Sequence, residues 1–302
     1  MTPYPPSLFK YRAFNVRTLR LVAEAEAYYS DPSTFNDPLD CDPTIDVNLE
    51  QPELIQLFTQ LRMEVLQVEG IVGDRARNDV RQTLDHLSYM STDPDSEISP
   101  DQYLSQLLGQ AIENDLKKKM KTVGVLSFSA RWDSVLMWSH YADEHRGICI
   151  EYDTQMLPHK SLWPINYGGA RAIRASELHR WLVAQDSEAG QAVFNIYFLS
   201  KALDWKYEQE WRDISGNAGA TVTSYTVRSI TFGLRCDPAV KKAIILMHSP
   251  SDKVEFYDVY LLKNEFSLQR YVIDDSEDRA FGIRKSPFLA FKDVSLPKKV
   301  EK

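Results

Sequence analysis

A pair of carboxylates in an aromatic segment is the strongest candidate for chemistry. Residues 205–212 read Trp-Lys-Tyr-Glu-Gln-Glu-Trp-Arg, with Glu208 and Glu210 two positions apart. In an extended segment such residues point to the same side, and in a helix they diverge. Two neighbouring carboxylates raise one pKa or leave one group free to bind a cation or a sugar hydroxyl. The alternative is a solvated face on which both glutamates pair with Lys206 and Arg212.

A cationic segment lies near the start of the chain, at Lys10, Tyr11 and Arg12. On a strand, Lys10 and Arg12 would share one face and Tyr11 would occupy the other. Such a face inside a cleft suits a diphosphate, because guanidinium and ammonium groups donate charge-assisted hydrogen bonds to phosphate oxygens. On an exposed edge strand the same charges would only discourage aggregation.

Two polar segments lie between these ends. Ser127 and Ser129 would share one strand face, with Phe128 on the other, as in any half-buried strand. The segment that ends in His140 and Tyr141 carries aromatic groups that could orient a ligand or belong to the core. His140 also lies five residues before His145, but this spacing makes a shared metal site a minor possibility.

Composition restricts the class of protein. The chain has 302 residues, of which 43% are hydrophobic and 11% aromatic, which favours a large folded core over disorder. A formal net charge of −8 lowers the expectation of nucleic-acid binding. Three widely spaced cysteines predict neither disulfides nor a zinc site. There is no signal-peptide pattern and no apolar run of membrane-spanning length, so we expect a cytoplasmic protein without a membrane partner.

Hydrophobic periodicity predicts the elements that must position these residues. Helical spacing recurs in a segment at about 50–120, which we interpret as a helical insertion within one domain of residues 1–302. A further helical region is expected at about 176–204. Strands are predicted at 8–14, 123–129, 147–152, 221–227, 229–234 and 254–262, and shorter helices at 15–23, 134–141 and 238–247. The fold class is therefore α+β, with a mixed, mostly antiparallel sheet.

Several short strings occur together in one order between about residues 8 and 262. They are Phe9-Lys-Tyr-Arg12, Tyr29-Ser-Asp-Pro-Ser-Thr-Phe-Asn-Asp-Pro38, Ser127-Phe-Ser129, Met137-Trp-Ser-His-Tyr141 with Gly147-Ile-Cys-Ile-Glu-Tyr152, and Trp205 to Arg212. This order resembles the bacterial domain-of-unknown-function 2971 family. The family name implies no chemistry.

A second resemblance is to ADP-ribosyltransferases of the Arg-Ser-Glu type, and it implies an ADP-ribosyltransferase-like sheet. Arg12 would bind a phosphate or the nicotinamide ribose of NAD, and Ser127 would support the nicotinamide pocket. Glu210 would bond the ribose 2′-hydroxyl and stabilise an oxocarbenium-like transition state, while Glu208 would activate the acceptor. The remaining NAD-binding residues implied are Lys10, Tyr11, Phe128, Ser129, His140 and Tyr141.

This sequence departs from that pattern at two points. Phe128 stands where the serine triplet of such enzymes has threonine, and a His-x-Thr form of the first motif would align Lys10 in place of Arg12. The implied reaction is cleavage of NAD with transfer of ADP-ribose to a protein or nucleic acid, without a metal, in a toxin or phage-defence effector. The alternatives are a non-catalytic nucleotide- or protein-binding module, and a metal-dependent nucleic-acid enzyme with Glu208, Glu210 and Asp37 as ligands.

Overall fold

A computed structural model describes residues 4–155 and 162–282 of the chain. The strands are β1 (Ser7–Arg12), β2 (Glu26–Tyr29), β3 (Thr44–Asp46), β4 (Gly124–Ser129), β5 (Ile148–Asp153), β6 (Leu162–Pro164), β7 (Asn166–Tyr167), β8 (Ala172–Arg174), β9 (Ser200–Lys201), β10 (Glu210–Ser215), β11 (Gly219–Val222), β12 (Val227–Phe232), β13 (Glu255–Leu261) and β14 (Leu268–Val272). The α-helices are α1 (Val16–Glu24), α2 (Gln51–Val68), α3 (Asp74–Met90), α4 (Pro100–Met120), α5 (Val135–Tyr141), α6 (Ala175–Leu182), α7 (Ser187–Leu199), α8 (Pro238–Met247) and α9 (Ser276–Phe281).

The main sheet has the strand order β14-β13-β12-β5-β1-β4-β10-β6. All neighbouring strands in it are antiparallel, except for the parallel pair β12 and β13. The predicted α+β class with a mixed, mostly antiparallel sheet is therefore confirmed. The order brings β1, β4 and β10, which lie far apart in sequence, next to one another.

The sheet opens between β1 and β4. β1 pairs with β5 along its whole length, whereas the described ladder between β1 and β4 consists of the single pair Phe9 and Ser129. Continued pairing would set Tyr11 opposite Ser127. Instead the Nζ of Lys10 donates a hydrogen bond of 2.7 Å to the carbonyl oxygen of Ser127. A side chain thus satisfies a backbone acceptor that the partner strand leaves unpaired, and the two strands diverge beyond Phe9.

Hydrophobic clusters cover both faces of the sheet. On one face, α1 and α8 bury Leu21 and Ile244 against strand residues such as Ile150. On the other face, α5 packs Trp138 onto β1, and a separate helical cluster reaches Val125 of β4. The opening between β1 and β4 therefore lies between two clusters on this second face.

The helical insertion consists of α2, α3 and α4. α2 and α3 are separated at Gly70 and Gly73, both of which have positive φ. The three helices share a buried core with α6, α7 and Val125 of β4. The interpretation of residues 1–302 as one domain remains a prediction.

Local signals predicted several element ends. Asn15 caps α1 by accepting a hydrogen bond from the backbone of Thr18, and α8 has the predicted bounds. The predicted helical region at 176–204 divides into α6 and α7. The strand predicted at 221–227 is wrong in part, because β11 covers only its start and pairs with β2 outside the main sheet. In the described part of the chain, no helix has the length and hydrophobicity to span a membrane.

Candidate functional site

The opening between β1 and β4 leads into a cavity of about 690 Å³, open mouth included. We call it the central cavity. Its walls are formed by Phe9, Lys10, Tyr11, Arg12, Phe35, Asn36, Asp40, Ser127, Phe128, Ser129, Met137, Tyr141, Lys201, Glu208, Glu210 and Arg212. The walls come from β1, β4 and β10, with α5, β9, the 3₁₀ helix Leu203–Glu208 and the loop around residue 36. The structure thus brings together every residue that the sequence implied for NAD binding or catalysis except His140.

His140 lies outside the cavity and is exposed. Its ring is 6.5 Å from the ring of Trp205 and 6.4 Å from that of Tyr207. Its neighbour Tyr141 does line the cavity, and the Tyr141 hydroxyl donates to Oε1 of Glu208 at 2.6 Å. His145 stacks against Trp138 and contacts the hydroxyl of Ser139. The two histidines therefore have different neighbours.

Glu208 and Glu210 converge by a turn and not by strand alternation. Glu208 ends the 3₁₀ helix Leu203–Glu208, and Gln209 adopts a left-handed conformation with φ 46°. Glu210 then begins β10. The expectation that both occupy one extended segment is wrong, but their carboxylates meet. Nζ of Lys201 donates to Oε2 of Glu208 at 2.6 Å and to Oε2 of Glu210 at 2.9 Å.

Both carboxylates belong to a buried network that we call the charge cluster: Asp40, Lys201, Glu208, Glu210 and Arg212. Arg212 donates from Nε to Oε1 of Glu210 at 2.8 Å and from Nη2 to Oδ2 of Asp40 at 2.6 Å. The Arg212 side chain is 0% exposed, and those of Glu208 and Glu210 are 3% and 5% exposed. The alternative of a solvated face with Lys206 and Arg212 is therefore wrong in its exposure, because both carboxylates are buried, but its pairing of Arg212 with Glu210 is confirmed.

The environment separates the pKa values of the two glutamates. Burial alone would raise the pKa of Glu210, but Arg212 and Lys201 outweigh it and hold this pKa well below its usual range. At Glu208, burial dominates over the attraction of Lys201, and the neighbouring Glu210 adds to it, so the pKa is raised. Glu210 is thus a permanent anion at neutral pH, whereas Glu208 holds a proton more readily.

The cationic wall of the cavity is formed by β1, which lies inside the sheet between β5 and β4. The alternative of an exposed edge strand for Lys10 and Arg12 is therefore wrong. Burial and the nearby Arg12 lower the pKa of Lys10 to about 7. The Nε of Arg12 is buried without a hydrogen-bond partner, and among the described residues neither cation forms an ion pair. A buried guanidinium with an unmet donor is suited to an anion.

The serine segment on β4 supports the carboxylates. The hydroxyl of Ser129 donates to the backbone oxygen of Glu208 at 2.6 Å. A side-chain hydrogen bond with Ser127 contributes to the low pKa of Glu210. Phe128 points away from these hydroxyls, and the ammonium of Lys10 lies 5.4 Å from its ring centre. The two serines therefore share one face, as predicted, and that face carries the carboxylates.

Sequence reasoning missed Asp40 and Lys201. Asp40 follows the turn at Asp37, which only the metal-dependent alternative groups with the glutamates. Instead, the Asp37 carboxylate accepts from the backbone of Leu39 at 2.9 Å and lines a neighbouring cavity. Asp37 and Asp40 lie within four residues of each other, and this spacing could have pointed to Asp40 as a site residue. Lys201, in the short strand β9, carried none, because its partners are brought to it by packing.

Comparison with known proteins gives one similarity. Residues 137–212 match the model of a family described as "Protein of unknown function (DUF2971)". The matched region begins in α5 and ends at Arg212, so it includes Tyr141, Lys201 and both glutamates. No curated protein and no solved structure matches the chain.

Proposed function

We propose that this chain cleaves NAD at the bond between nicotinamide and ribose and transfers the ADP-ribose to a macromolecule or to water. The observation that carries the proposal is that one cavity has a cationic wall and a carboxylate wall. Lys10 and Arg12 on β1 provide cations without carboxylate partners, and Glu208 and Glu210 provide carboxylates at the other wall. NAD carries a diphosphate beside a ribose, so it needs both kinds of group.

The strand order supports an ADP-ribosyltransferase-like arrangement. Arg12 on β1, Ser127 on β4 and Glu210 on β10 lie on three consecutive strands of the sheet. These are the residues that correspond to the Arg-Ser-Glu pattern. The loss of pairing between β1 and β4 leaves the space that a dinucleotide would enter.

The cationic wall suits the diphosphate. Phosphate oxygens accept short, charge-assisted hydrogen bonds from ammonium and guanidinium groups. Arg12 has an unmet buried donor at Nε, and Lys10 has one hydrogen bond to Ser127, so its ammonium has further donors. The diphosphate would also restore the proton on Lys10, because a nearby anion favours the charged form.

The carboxylate wall suits the reacting ribose. When the bond from C1′ to the nicotinamide nitrogen breaks, its electron pair leaves with neutral nicotinamide and positive charge develops on the ribose. An ionised Glu210 stabilises that charge and accepts a hydrogen bond from the 2′-hydroxyl. The acceptor oxygen or nitrogen then bonds to C1′ and its proton passes to Glu208, whose raised pKa favours proton uptake.

The geometry also bears on the metal-dependent alternative. Nζ of Lys201 lies between Glu208 and Glu210 and within 3.3 Å of Asp40. An ammonium therefore occupies the place where these carboxylates would jointly hold a cation. We place this reaction in a bacterial cytoplasm and in an effector of the toxin or antiviral-defence type.

The test measures nicotinamide release by the purified protein and two variants. Glu210→Gln keeps the size of the side chain and removes its charge, so we expect the rate to fall on the order of 100-fold with little change in NAD affinity. Glu208→Gln should impair transfer to an acceptor more than hydrolysis. The control is Asp204→Asn, an exposed carboxylate in the same segment.

Three results would overturn the proposal. Wild-type activity in a folded Glu210→Gln variant would remove this glutamate from the mechanism. NAD binding by the wild-type protein without any cleavage would favour a binding module. A loss of nicotinamide release on addition of a chelator would favour a metal-dependent enzyme.

A further inference from the structure

The further inference concerns the small parallel ladder formed by β7 and β9, in which Tyr167 is the partner of Lys201. The backbone N–H of Glu210 donates to the hydroxyl of Tyr167 at 2.7 Å. Lys201 donates to the side chain of the same Glu210 at 2.9 Å. Two residues in register on one ladder therefore hold one glutamate by its backbone and by its carboxylate.

Lys201 also fixes the second glutamate. Its Nζ lies 2.6 Å from Oε2 of Glu208, while the other oxygen of that carboxylate accepts from Tyr141. The Lys201 side chain is 6% exposed, and its ammonium lies 5.2 Å from the ring centre of Trp205. A lysine side chain is flexible in water. Here three carboxylates and the ring of Trp205 hold the Lys201 side chain in one orientation.

We propose that Lys201 and Tyr167 are positioning residues that set the orientation of the Glu208 and Glu210 carboxylates towards the central cavity. Neither is assigned a contact with NAD, and their effect passes through the two glutamates. The inference deepens the proposed function, since it names residues that prepare its carboxylate pair. Asp40 and Arg212 complete the surroundings of the ammonium.

The charges around the pair determine what removal of the ammonium does. Glu208 faces Lys201, Glu210 and Tyr141, and Glu210 faces Lys201, Arg212 and Ser127. Lys201 attracts both carboxylates and so favours their ionised forms. Without this charge the pKa of each glutamate rises, and a larger share of both is protonated near neutral pH.

The experiment compares Lys201→Gln, which keeps a donor without the charge, with Lys201→Arg, which keeps the charge. Titration of carbon-13-labelled glutamate carboxylates by NMR, without NAD, should show higher pKa values for the pair in Lys201→Gln and recovery in Lys201→Arg. Tyr167→Phe, which removes only a hydroxyl, should lower kcat several-fold and leave KM within a factor of about three. Lys206→Gln, an exposed lysine of the same segment, should match the wild type.

The rate data give a second readout. In Lys201→Gln, kcat for nicotinamide release should fall about 10- to 100-fold, and the acidic limb of the pH–rate profile should move to higher pH. An unchanged limb and unchanged carboxylate titration in a folded variant would overturn the inference. If Lys201→Gln does not fold, Tyr167→Phe decides: wild-type kcat in the folded Tyr167→Phe variant would overturn the inference.

Failure of this inference differs from failure of the proposed function. A wild-type protein that cleaves no NAD would refute the function, while the titration would still test the positioning. Conversely, full nicotinamide release by the wild type with no effect of Lys201 or Tyr167 would refute the positioning alone.

Discussion

Replacement of Arg212 by methionine tests the charge cluster most severely. The guanidinium donates to both oxygens of Glu210 and to Asp40, to the backbone oxygen of Phe198 at 2.7 Å, and to Sγ of Cys41 at 3.1 Å. Methionine fills a similar space without a donor or a charge. The variant therefore leaves the carboxylates of Asp40, Glu208 and Glu210 buried with Lys201 as their remaining cation.

The expected loss follows from this burial. Removing one partner of a buried ion pair costs about 3–5 kcal/mol, because the other charge stays buried without compensation. Folded domains have total stabilities of about 5–15 kcal/mol, so the variant should be marginally stable. We expect the free energy of unfolding of Arg212→Met at pH 7 to be lower by about 3–5 kcal/mol.

The loss should also depend on pH, with a defined sign. The pKa of Glu210 is depressed below its ordinary value of 4.5, so its contribution to stability is present above that value and is lost as the pH falls. In the variant, which lacks Arg212, burial raises the pKa of Glu210. Acidification then protonates this carboxylate and removes the cost of burying its charge. The difference between wild type and variant should therefore shrink by about 1 kcal/mol or more between pH 7 and pH 4.

The assay is urea unfolding of both proteins at pH 7 and pH 4. The control is Arg20→Met, which removes an arginine with a 56% exposed side chain paired with Glu26. Its loss should be about 0.5 kcal/mol or less at both pH values. A loss below about 1 kcal/mol for Arg212→Met, or one that does not change with pH, would refute the account of the cluster.

Three further predictions concern the wall of the cavity, the packing of β1 and the insertion. Lys10→Met should weaken NAD binding about tenfold in calorimetry, because one charge-assisted hydrogen bond is lost. Wild-type affinity should fall as the pH rises through 7, since the pKa of Lys10 is about 7. Equal NAD affinities of the wild type and the variant would contradict this. Gly147→Ala sets a Cβ 2.1 Å from the backbone oxygen of Arg12 and should therefore lower the free energy of unfolding by about 1–3 kcal/mol. An unchanged denaturation curve would contradict this. Asp85→Ser, on the exposed face of α3, should leave nicotinamide release unchanged.

The elements of the sheet could be predicted because their signals are local. Alternation placed Ser127 and Ser129 on one face of β4, and helical spacing predicted the bounds of α8. The arrangement of the strands carries no local signal. That β1 lies beside β4, and that their ladder stops after one pair, depends on packing across more than a hundred residues.

The glutamates show the same limit within a single motif. Their nearness could be predicted from the spacing of Glu208 and Glu210, but not the left-handed Gln209 that turns both towards Lys201. The partners Asp40 and Lys201 lie in a turn and in the two-residue strand β9. A buried charge needs a partner of opposite charge, and the fold can supply that partner from any part of the sequence.

The most direct measurement of the central claim is a crystal structure of Glu210→Gln after a brief soak in NAD, since this variant should cleave NAD on the order of 100-fold more slowly. We predict that NAD occupies the central cavity, with its diphosphate at Lys10 and Arg12. The nicotinamide ribose should lie beside residue 210, with its 2′-hydroxyl at hydrogen-bond distance, about 3 Å. NAD bound at another place, or with its adenine ribose at this position, would contradict the account.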